Sequence, residues 1–226
     1  MCAFYEIKIT STQLEDDFWI RLETNLEYRL APYVVAPVIV KSKDKFELKH
    51  MNFSLVPSWS KERKVKFASH NARLFSEPDK NNVVIPINEK PTWRVPFQKY
   101  HCLVPILNFI EPIYTNELAG NMVSFFAKDN SLLLAAAVFD RWLDKSTGEI
   151  IESFAILTHD PPPYVASVGH DRCPVFLGAN NGKEWLNLIN VKPGEQISFL
   201  IEKQAQIDFD VKIDRPLKKG WEKRIS

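Results

Sequence analysis

The stretch LLLAAAVF at residues 132–139 is the longest apolar run of the chain that no proline interrupts. It is long enough for a buried β-strand and far too short to cross a membrane. Three more runs rich in β-branched and aromatic residues share this character, at residues 102–110, 122–126 and 154–158. Short runs of this kind, separated by turn-forming residues, are typical of a β-rich fold.

Other segments extend this pattern and add a few helices. Residues 12–22 begin with the capping box T-x-x-E of Thr12 and Glu15 and continue with apolar residues at helical spacing. Further elements are expected as strands at 33–40, 46–56 and 174–177, a short helix at 182–189, and a basic loop leading to a helical turn at 58–73. Because regular βαβ alternation is missing, we predict an α+β fold, mostly short, twisted, barrel-like antiparallel strands with a few helices.

The chain length and the proline content bound the domain organisation. The chain has 226 residues, with 15 prolines against 7 glycines. Proline donates no backbone hydrogen bond, so it divides a chain into short elements joined by rigid loops. The length predicts a single domain over residues 1–226. All the motifs described below lie within residues 1–177, and the C-terminal segment 190–226 is expected to be peripheral.

The near-neutral net charge argues against one class of function, that of a protein that coats nucleic acid without sequence preference. The 29 basic and 28 acidic residues leave a formal net charge of +1, whereas such a protein would be far more basic. Any DNA contact must therefore come from a local groove. The three widely spaced cysteines form neither a disulfide framework nor a zinc site. Without a signal peptide, membrane span, glycine-rich phosphate loop or metal cluster, we expect a cytoplasmic monomer without a cofactor, nucleoid-associated if bacterial.

The N-terminus carries distinctive chemistry. Methionine aminopeptidases remove Met1 when the second residue is small, which would leave Cys2 with a free α-amine beside its thiol. The α-amine titrates at about pH 7.7–8.0 and a thiol at about 8.5, so both are partly nucleophilic near neutral pH. The amine can condense with an aldehyde, and the thiol can then close a thiazolidine ring at high effective concentration. The same pair could instead hydrolyse an amide, with the α-amine as base for the thiol.

Four further segments follow Met1-Cys2 along the chain. They are LVPSW at 55–59, NAR at 71–73, CLVP at 102–105 followed by FIE at 109–111, and ILT at 156–158 followed by HDRCPV at 170–175. This ordered set resembles the SOS response-associated peptidase (SRAP) family of abasic-site processing proteins. Each motif alone is weak, but five in order are specific, and together they cover most of the chain.

The resemblance implies an activity and a partner. Proteins of this family recognise abasic sites in single-stranded DNA and crosslink to them through the N-terminal cysteine as a thiazolidine, which shields the lesion in the DNA damage response. The family is also associated with autocatalytic removal of its leader residue. The implied partner is single-stranded DNA with an abasic site, bound by a single SRAP-like domain.

The resemblance also assigns roles to individual residues. Glu111 would act as an acid and base beside the Cys2 amine, and His170 would help to open the deoxyribose ring or to reverse the crosslink. Asn71 would hold the N-terminal residue or the opened sugar, and Arg73 would bind a phosphate through two N–H groups. Together these groups predict one site built from distant parts of the chain.

The remaining expected contacts are with DNA. Arg172 is either a second phosphate ligand or only the ion-pair partner of Asp171. Exposed aromatic side chains beside Lys and Arg are suited to stacking single-strand bases. The DNA-binding set is therefore expected to comprise Arg73, Arg172, Trp59, Phe53, Lys61 and Lys66.

Some positions depart from the family pattern. Ala3 and Phe4 replace the glycine and arginine of M-C-G-R, so the phosphate contact of that arginine is lost or supplied from elsewhere. Phe75 replaces the glutamate of N-A-R-x-E-T, and Pro112 replaces the tryptophan after the acidic residue. These changes put the DNA strand preference in question more than the Cys2 chemistry.

Two alternatives remain open. A cysteine peptidase or amidase with an N-terminal nucleophile would use the same Cys2, Glu111 and His170. A catalytically idle single-strand DNA-binding module would keep the fold and bind abasic DNA equally well without Cys2. The basic segment 58–73 favours DNA over a peptide substrate.

Overall fold

A computed structural model describes residues 4–224 of the chain. Its strands are β1 (Phe4–Ile9), β2 (Leu26–Leu30), β3 (Val35–Ser42), β4 (Lys45–Phe53), β5 (Asn71–Arg73), β6 (His101–Ile106), β7 (Asn108–Ile113), β8 (Asn121–Ala127), β9 (Leu133–Leu143), β10 (Ile150–His159), β11 (Cys173–Pro174), β12 (Phe176–Leu177) and β13 (Phe209–Pro216). Its α-helices are α1 (Glu15–Phe18), α2 (Arg94–Lys99), α3 (Pro163–Val168), α4 (Ala179–Asn187) and α5 (Pro193–Glu202), and short 3-10 turns cover Ile87–Glu89 and Trp221–Arg224.

Five strands close into a barrel, and the predicted apolar run forms one of them. The pairing passes from β10 to β4, β3, β6 and β9, and β9 pairs back with β10. The run at 132–139 lies almost entirely in β9, whose first eight residues are all buried. The predicted buried strand is therefore confirmed. It is buried because it pairs with β6, β10 and β12 in the middle of the sheet.

A second sheet packs beside the barrel in the order β13-β8-β7-β1-β2, with antiparallel neighbours. Tyr5 of β1 pairs directly with Phe109 of β7, and both side chains are fully buried. Because side chains alternate along a strand, Glu111 points to the same inner face as Phe109. The carboxylate of Glu111 therefore faces the protein interior.

The fold class is as predicted. Strands outweigh helices, and most buried apolar side chains belong to a single cluster. Val56, Trp142 and Ile151 form a small second cluster. The mostly β, barrel-like, single-domain fold is therefore confirmed.

The predicted helix at residues 12–22 is wrong in length, since α1 covers Glu15–Phe18 alone. Thr12 offers its backbone oxygen to the Glu15 amide at 2.9 Å, and no side chain caps this helix. Trp19 then adopts a left-handed conformation, with φ 53°, and the Ile20 amide bonds back to the Leu14 carbonyl at 3.3 Å. This pattern of hydrogen bonds ends a helix.

Two other expected elements differ from the structure. Residues 71–73, expected to close a loop as a helical turn, form strand β5 and pair in parallel with β10. The run at 102–110, expected as one strand, is two strands broken at Leu107. The Leu107 amide donates to the carbonyl of Glu6 in β1 at 2.7 Å. The break lets the chain leave the barrel and enter the second sheet.

The C-terminal segment 190–226 is expected from the sequence to be peripheral. In the structure, its residues 190–224 contribute a helix and a strand to the packed fold. Phe199 and Leu200 of α5 and Phe209 of β13 belong to the main buried cluster. β13 pairs with β8 from Phe209 to Pro216 and forms an edge of the second sheet. Within residues 4–224, no helix is both long and apolar enough to cross a bilayer.

His101 is a buried histidine that links β6 to two helices. Its ring stacks on Trp185 with centroids 3.5 Å apart, and its two nitrogens lie 2.8 and 2.7 Å from the carbonyl oxygens of Trp185 and Phe97. Burial lowers the pKa of His101 to about 4, although both carbonyl contacts act to raise it. The folded protein therefore favours the neutral imidazole at neutral pH.

This environment makes folding stability depend on pH. The pKa of His101 is about 6.5 in the unfolded chain and about 4 in the folded chain. Between these two pH values the unfolded chain therefore binds a proton at His101 that the folded chain does not bind. The free energy of unfolding should therefore fall as the pH drops from 6.5 towards 4, by up to about 1.4 kcal/mol per pH unit. Urea unfolding of the wild type and of His101→Gln at pH 7, 6 and 5 measures this. The variant should be less stable at pH 7 but show a shallower pH dependence, and equal slopes would contradict the prediction.

Candidate active site

A buried carboxylate and a buried imidazole form the centre of the candidate site. Glu111 is fully buried, and His170 is 6% exposed. Glu111 Oε2 and His170 Nε2 lie 3.4 Å apart, within ion-pair range. Burial of an isolated carboxylate is costly, and a protonated imidazole beside it offsets that cost. The two groups can hold or exchange a proton, which is what general acid–base catalysis requires.

Gly169 turns the chain from α3 into His170. Its φ of 107° is a conformation that residues with a side chain rarely adopt. A Cβ at this position would lie 3.0 Å from Thr115 Oγ1 and 3.2 Å from the Thr115 carbonyl oxygen. Asn116 Nδ2 also donates to a carbonyl oxygen of α3 at 2.9 Å. Close packing between α3 and the loop after β7 therefore sets the approach of His170 to Glu111.

Asn71 connects the site to the beginning of the chain. Its Oδ1 accepts a hydrogen bond from the hydroxyl of Tyr5 at 3.1 Å. Tyr5 is the second residue of β1, which begins at Phe4, two residues after Cys2 in the sequence. Cys2 itself lies outside the described residues. Tyr5 was missed by the sequence analysis, because its contact with Asn71 joins residues 66 positions apart.

Phe53 lies behind the site and not on the surface. It is fully buried, and its ring contacts Tyr5, His70 and Phe154. A base can stack only on an exposed ring face, so Phe53 is removed from the expected DNA-binding set. Its neighbour His70 is buried, and that burial lowers the pKa of His70 while the Glu111 carboxylate acts to raise it. Within residues 4–224, His70 Nε2 has no hydrogen-bond partner.

Arg73 and Arg172 converge on one carboxylate oxygen. Glu77 Oε1 lies 2.6 Å from Arg73 Nη1 and 2.9 Å from Arg172 Nη2. Arg172 Nε also faces Asp171, but at the longer distance of 3.6 Å. Glu77 has no local signal in the sequence: it stands two residues beyond the position of the family glutamate, and the i,i+4 rule applies to helices, whereas Arg73 lies in strand β5. The two guanidinium groups are therefore neighbours, as two ligands of one anion would be.

A third cation joins this pair. Lys90 Nζ donates to the carbonyl oxygen of Arg73 at 3.1 Å. Burial lowers the pKa of Lys90, and the positive charges of Arg73 and Arg172 lower it further. Asp160 Oδ1 also lies 3.7 Å from Arg73 Nη2, so the three cations stand beside three mostly exposed carboxylates, those of Glu77, Asp160 and Asp171. A phosphate would bind to the guanidinium groups here by displacing a carboxylate.

The basic loop carries the other expected DNA-binding side chains. Trp59, Lys61, Lys66 and Phe67 are exposed, and the loop from Trp59 to Phe67 borders a cavity of about 320 Å³. Exposure of Trp59 leaves its ring free to stack on a base.

The root of the basic loop is fixed to β9. The Ser58 amide donates to Asp140 Oδ2, and Trp142 Nε1 donates to the Ser60 carbonyl, both at 2.8 Å. Asp140 pairs with Ser153 of β10, five residues before the point where Arg73 meets the same strand. At about 3.3 Å per residue, the loop root and Arg73 lie about 17 Å apart along β10.

The two described cysteines are poor nucleophiles. Cys102 and Cys173 are both buried and unpaired by any disulfide. Burial raises the pKa of each thiol well above its usual range, and the Glu111 carboxylate raises that of Cys173 further. Since the thiolate is the reactive form, neither thiol suits nucleophilic catalysis. Within residues 4–224, no group of His, Cys, Asp or Glu side chains is arranged to hold a metal ion.

The structure therefore brings Asn71, Glu111 and His170 near the start of β1 and groups Arg73 with Arg172. Comparison with known proteins gives a consistent result. A family model described as SOS response associated peptidase (SRAP) matches residues 1–212.

Related sequences carry informative names. The abasic site processing protein YoaM of Bacillus subtilis is 26% identical over 190 residues, covering 84% of this chain and 78% of YoaM. The abasic site processing protein HMCES of Pongo abelii is 26% identical over 211 residues, covering 76% of this chain and 56% of HMCES.

Solved structures share the fold. A protein of Bordetella bronchiseptica superposes with a TM-score of 0.73 at 17% identity, covering 95% of this chain and 100% of its own. A protein of Bacteroides thetaiotaomicron gives a TM-score of 0.67 at 22% identity, covering 95% of this chain and 92% of its own. At these identities the likeness concerns the fold alone.

The Gly169 turn gives a direct test of how His170 is positioned. Gly169→Ala should lower the free energy of unfolding by about 1–2 kcal/mol, because alanine resists the left-handed conformation, and should also displace His170 through the contact with Thr115. Gly148→Ala is the matched control, since Gly148 has φ 76° but nothing within 4 Å of an added Cβ. Urea unfolding measures the strain. The NMR chemical shifts of the His170 ring measure the displacement, and they should change in Gly169→Ala alone. Unchanged His170 ring shifts in Gly169→Ala would contradict this role of Gly169.

Proposed function

The chain belongs to the SOS response-associated peptidase (SRAP) family, and from this premise we propose that it processes abasic sites in single-stranded DNA. Removal of Met1 exposes Cys2, which forms a thiazolidine crosslink with the aldehyde of the opened deoxyribose. The crosslink shields the lesion from strand breakage. The abasic-site names of YoaM and HMCES support the substrate class.

The observation that carries the proposal is the buried Glu111–His170 pair, 3.4 Å apart, on the inner face beside β1. The pair lies near β1, which begins two residues after Cys2 in the sequence, and the Tyr5 hydroxyl of that strand donates to Asn71. A buried carboxylate and imidazole are costly to keep for packing alone. Their presence together in the interior therefore favours a chemical role over an idle binding module.

The Glu111–His170 pair needs only to move protons, because the Cys2 amine and thiol themselves form the new carbon–nitrogen and carbon–sulfur bonds. His170 donates a proton to the ring oxygen while the anomeric hydroxyl gives up its proton to water, and the closed sugar opens to its aldehyde. Glu111 accepts a proton from the Cys2 ammonium, the free amine attacks the aldehyde carbon, and one water leaves as the imine forms. The Cys2 thiol then adds to the imine carbon and closes the ring. The net reaction joins aldehyde and aminothiol with loss of one water.

The DNA contacts follow from the surroundings of this pair. Arg73 and Arg172 bind a backbone phosphate in place of the Glu77 carboxylate, with Lys90 adding positive charge. The basic loop offers Trp59 for base stacking and Lys61 and Lys66 for further phosphates. Such local cation clusters reconcile DNA binding with a net charge of only +1.

A second activity uses the same residues. With the Cys2 thiol as nucleophile and Glu111 and His170 as acid and base, the site can cleave a peptide bond, as in autocatalytic removal of a leader residue. The family description as a peptidase supports this alternative. The cationic loop and the paired arginines favour DNA as the main substrate.

The first test of the proposed function concerns Cys2. Untagged protein incubated with a single-stranded oligonucleotide carrying one abasic site should give a heat-resistant shifted band on a denaturing gel. Cys2→Ala should abolish the band, because the thiol is missing. An uncleaved N-terminal extension should abolish it too, because the free amine is missing. Crosslinking by either altered protein would refute the aminothiol chemistry, whereas a wild type that forms no band would refute the crosslinking activity.

The second prediction separates catalysis from binding. Glu111→Gln should slow crosslinking by about 100-fold or more, the usual contribution of a general acid or base, while leaving the Kd for the strand within about twofold. His170→Ala should slow crosslinking or alter its reversal. His50→Ala is the control, since His50 is exposed and its Nε2 lies 3.2 Å from the Tyr28 hydroxyl, away from the Glu111–His170 pair. Unchanged rates in both site variants would remove the pair from the mechanism.

The third prediction concerns Glu77. Its carboxylate competes with a phosphate for the two guanidinium groups, so Glu77→Gln should tighten strand binding by about fivefold, equivalent to about 1 kcal/mol. Glu184→Gln makes the same charge change on the exposed face of α4 and should leave the Kd unchanged. Fluorescence anisotropy in low salt measures both. Weaker binding by Glu77→Gln would mean that the carboxylate orients the arginines instead of competing for them.

A further inference from the structure

A cavity of about 340 Å³ opens between the second sheet and the C-terminal segment. Its volume is in the range of about 300–1,000 Å³ typical of small-molecule sites. The strand side is formed by Phe4 of β1 and by Tyr114, which follows β7. The opposite side is formed by residues 215–221, which lie beyond the part of the chain that the SRAP model matches. This cavity is therefore built in part by a segment outside the residues that the family model matches.

Three aromatic rings line the cavity. Phe4 is half-buried, and the Arg215 guanidinium lies 5.2 Å from its ring centre. The rings of Tyr114 and Trp221 are tilted by 35°, with centroids 6.3 Å apart. These two rings contact each other directly, so a flat ligand would stack on an outer face of one ring and not between them.

Gly120 holds Trp221 in place. A Cβ at Gly120 would lie 3.0 Å from Trp221 Cζ2, so the indole packs directly against the glycine backbone. The Leu217 amide also donates to the Gly120 carbonyl at 2.8 Å. The C-terminal wall is thus attached to the start of β8 through Gly120.

The cavity rim is cationic. Arg215, Lys218 and Lys219 line it, and all three are exposed. Asp214 pairs with Arg215 and, at 2.8 Å, with Arg29, so it partly neutralises the arginine. The two lysines remain as an excess of positive charge. Aromatic faces beside an excess of cations match a nucleobase joined to a phosphate.

The cavity lies close to the proposed reaction centre. Phe4 pairs with Ile110, the neighbour of Glu111, and two peptide units from Phe4 to Cys2 span at most about 7 Å. Side chains alternate along β7, so Glu111 faces inward while Phe4 and Ile110 face the cavity side. A strand bound at the site needs to pass only the rim of the second sheet to reach the cavity.

We propose that this cavity binds one nucleotide of the same DNA strand, a neighbour of the abasic nucleotide. Its base stacks against Trp221 or Phe4, and its phosphate contacts Lys218 or Lys219. This inference rests on the proposed DNA function and adds a subsite to it. Phe4 stands where the family pattern has arginine, and Arg215 brings a guanidinium to that position from the C-terminal segment. The subsite makes the chain sensitive to the bases beside the lesion.

A base-omission scan tests the subsite without any covalent step. Single-stranded oligonucleotides carry one unreactive tetrahydrofuran abasic analogue, and a second analogue replaces each flanking nucleotide in turn. For the wild type, omission at one flanking position should weaken binding by about 5- to 100-fold, the effect of one base stacked on an aromatic side chain. Trp221→Ala should weaken binding of the complete strand by a similar factor and lose most of the dependence on that base.

Two further variants make the result decisive. Trp19→Ala removes a tryptophan that is 77% exposed elsewhere and should behave as the wild type throughout. The double variant Lys218→Glu and Lys219→Glu changes only exposed side chains, so it should fold, and it should weaken binding while reducing the salt dependence.

The outcomes separate this inference from the proposed function. If Trp221→Ala retains the full base dependence, or if no flanking base matters to the wild type, the subsite is refuted even when crosslinking persists. If base dependence disappears in Trp221→Ala while the wild type forms no crosslink with a natural abasic site, the subsite stands and the crosslinking activity fails. A change of oligomeric mass in Trp221→Ala by light scattering would instead assign the cavity to a protein contact and overturn the proposal.

Discussion

The contact between the Glu111 carboxylate and the His170 imidazole, 3.4 Å apart and buried, is the constraint on which the site depends. A carboxylate is stable in such an interior only if a partner compensates for its lost hydration. The pairing of β7 with β1 keeps Glu111 on the inner face, and Gly169 is what lets the chain turn His170 towards it. The barrel and second sheet thus hold two polar groups where apolar side chains would pack more simply.

Much of the fold could be predicted from local patterns, and the failures have physical causes. The apolar run at 132–139 predicted a buried strand because its eight residues fit the length of a strand and fall short of a typical helix. The capping box of Thr12 and Glu15 predicted too long a helix because Trp19 takes a left-handed conformation, a choice that the spacing of apolar residues does not reveal. The parallel pairing of β5 with β10 joins segments more than 80 residues apart, and local sequence carries no signal for it.

The residues of the candidate site also fall into those that the sequence predicted and those that it did not. Ordered motifs predicted Asn71, Glu111 and His170 together, and these do converge near the start of β1. Tyr5 and Trp221 escaped notice because their importance arises only when distant strands pair. Phe53 was misplaced because an aromatic residue near a basic loop looks alike in sequence whether it packs inward or faces solvent.

The central claim is that the aminothiol of Cys2, served by the Glu111–His170 pair, closes a ring on the aldehyde of an abasic site. Intact mass spectrometry of the wild-type adduct, followed by peptide mapping, tests it most directly. The account predicts a protein lacking Met1 that carries one oligonucleotide with loss of one water, attached at residue 2 and unchanged by borohydride after the ring has closed. An adduct attached at a lysine, or no adduct on protein whose mass proves that Met1 is absent, would contradict it.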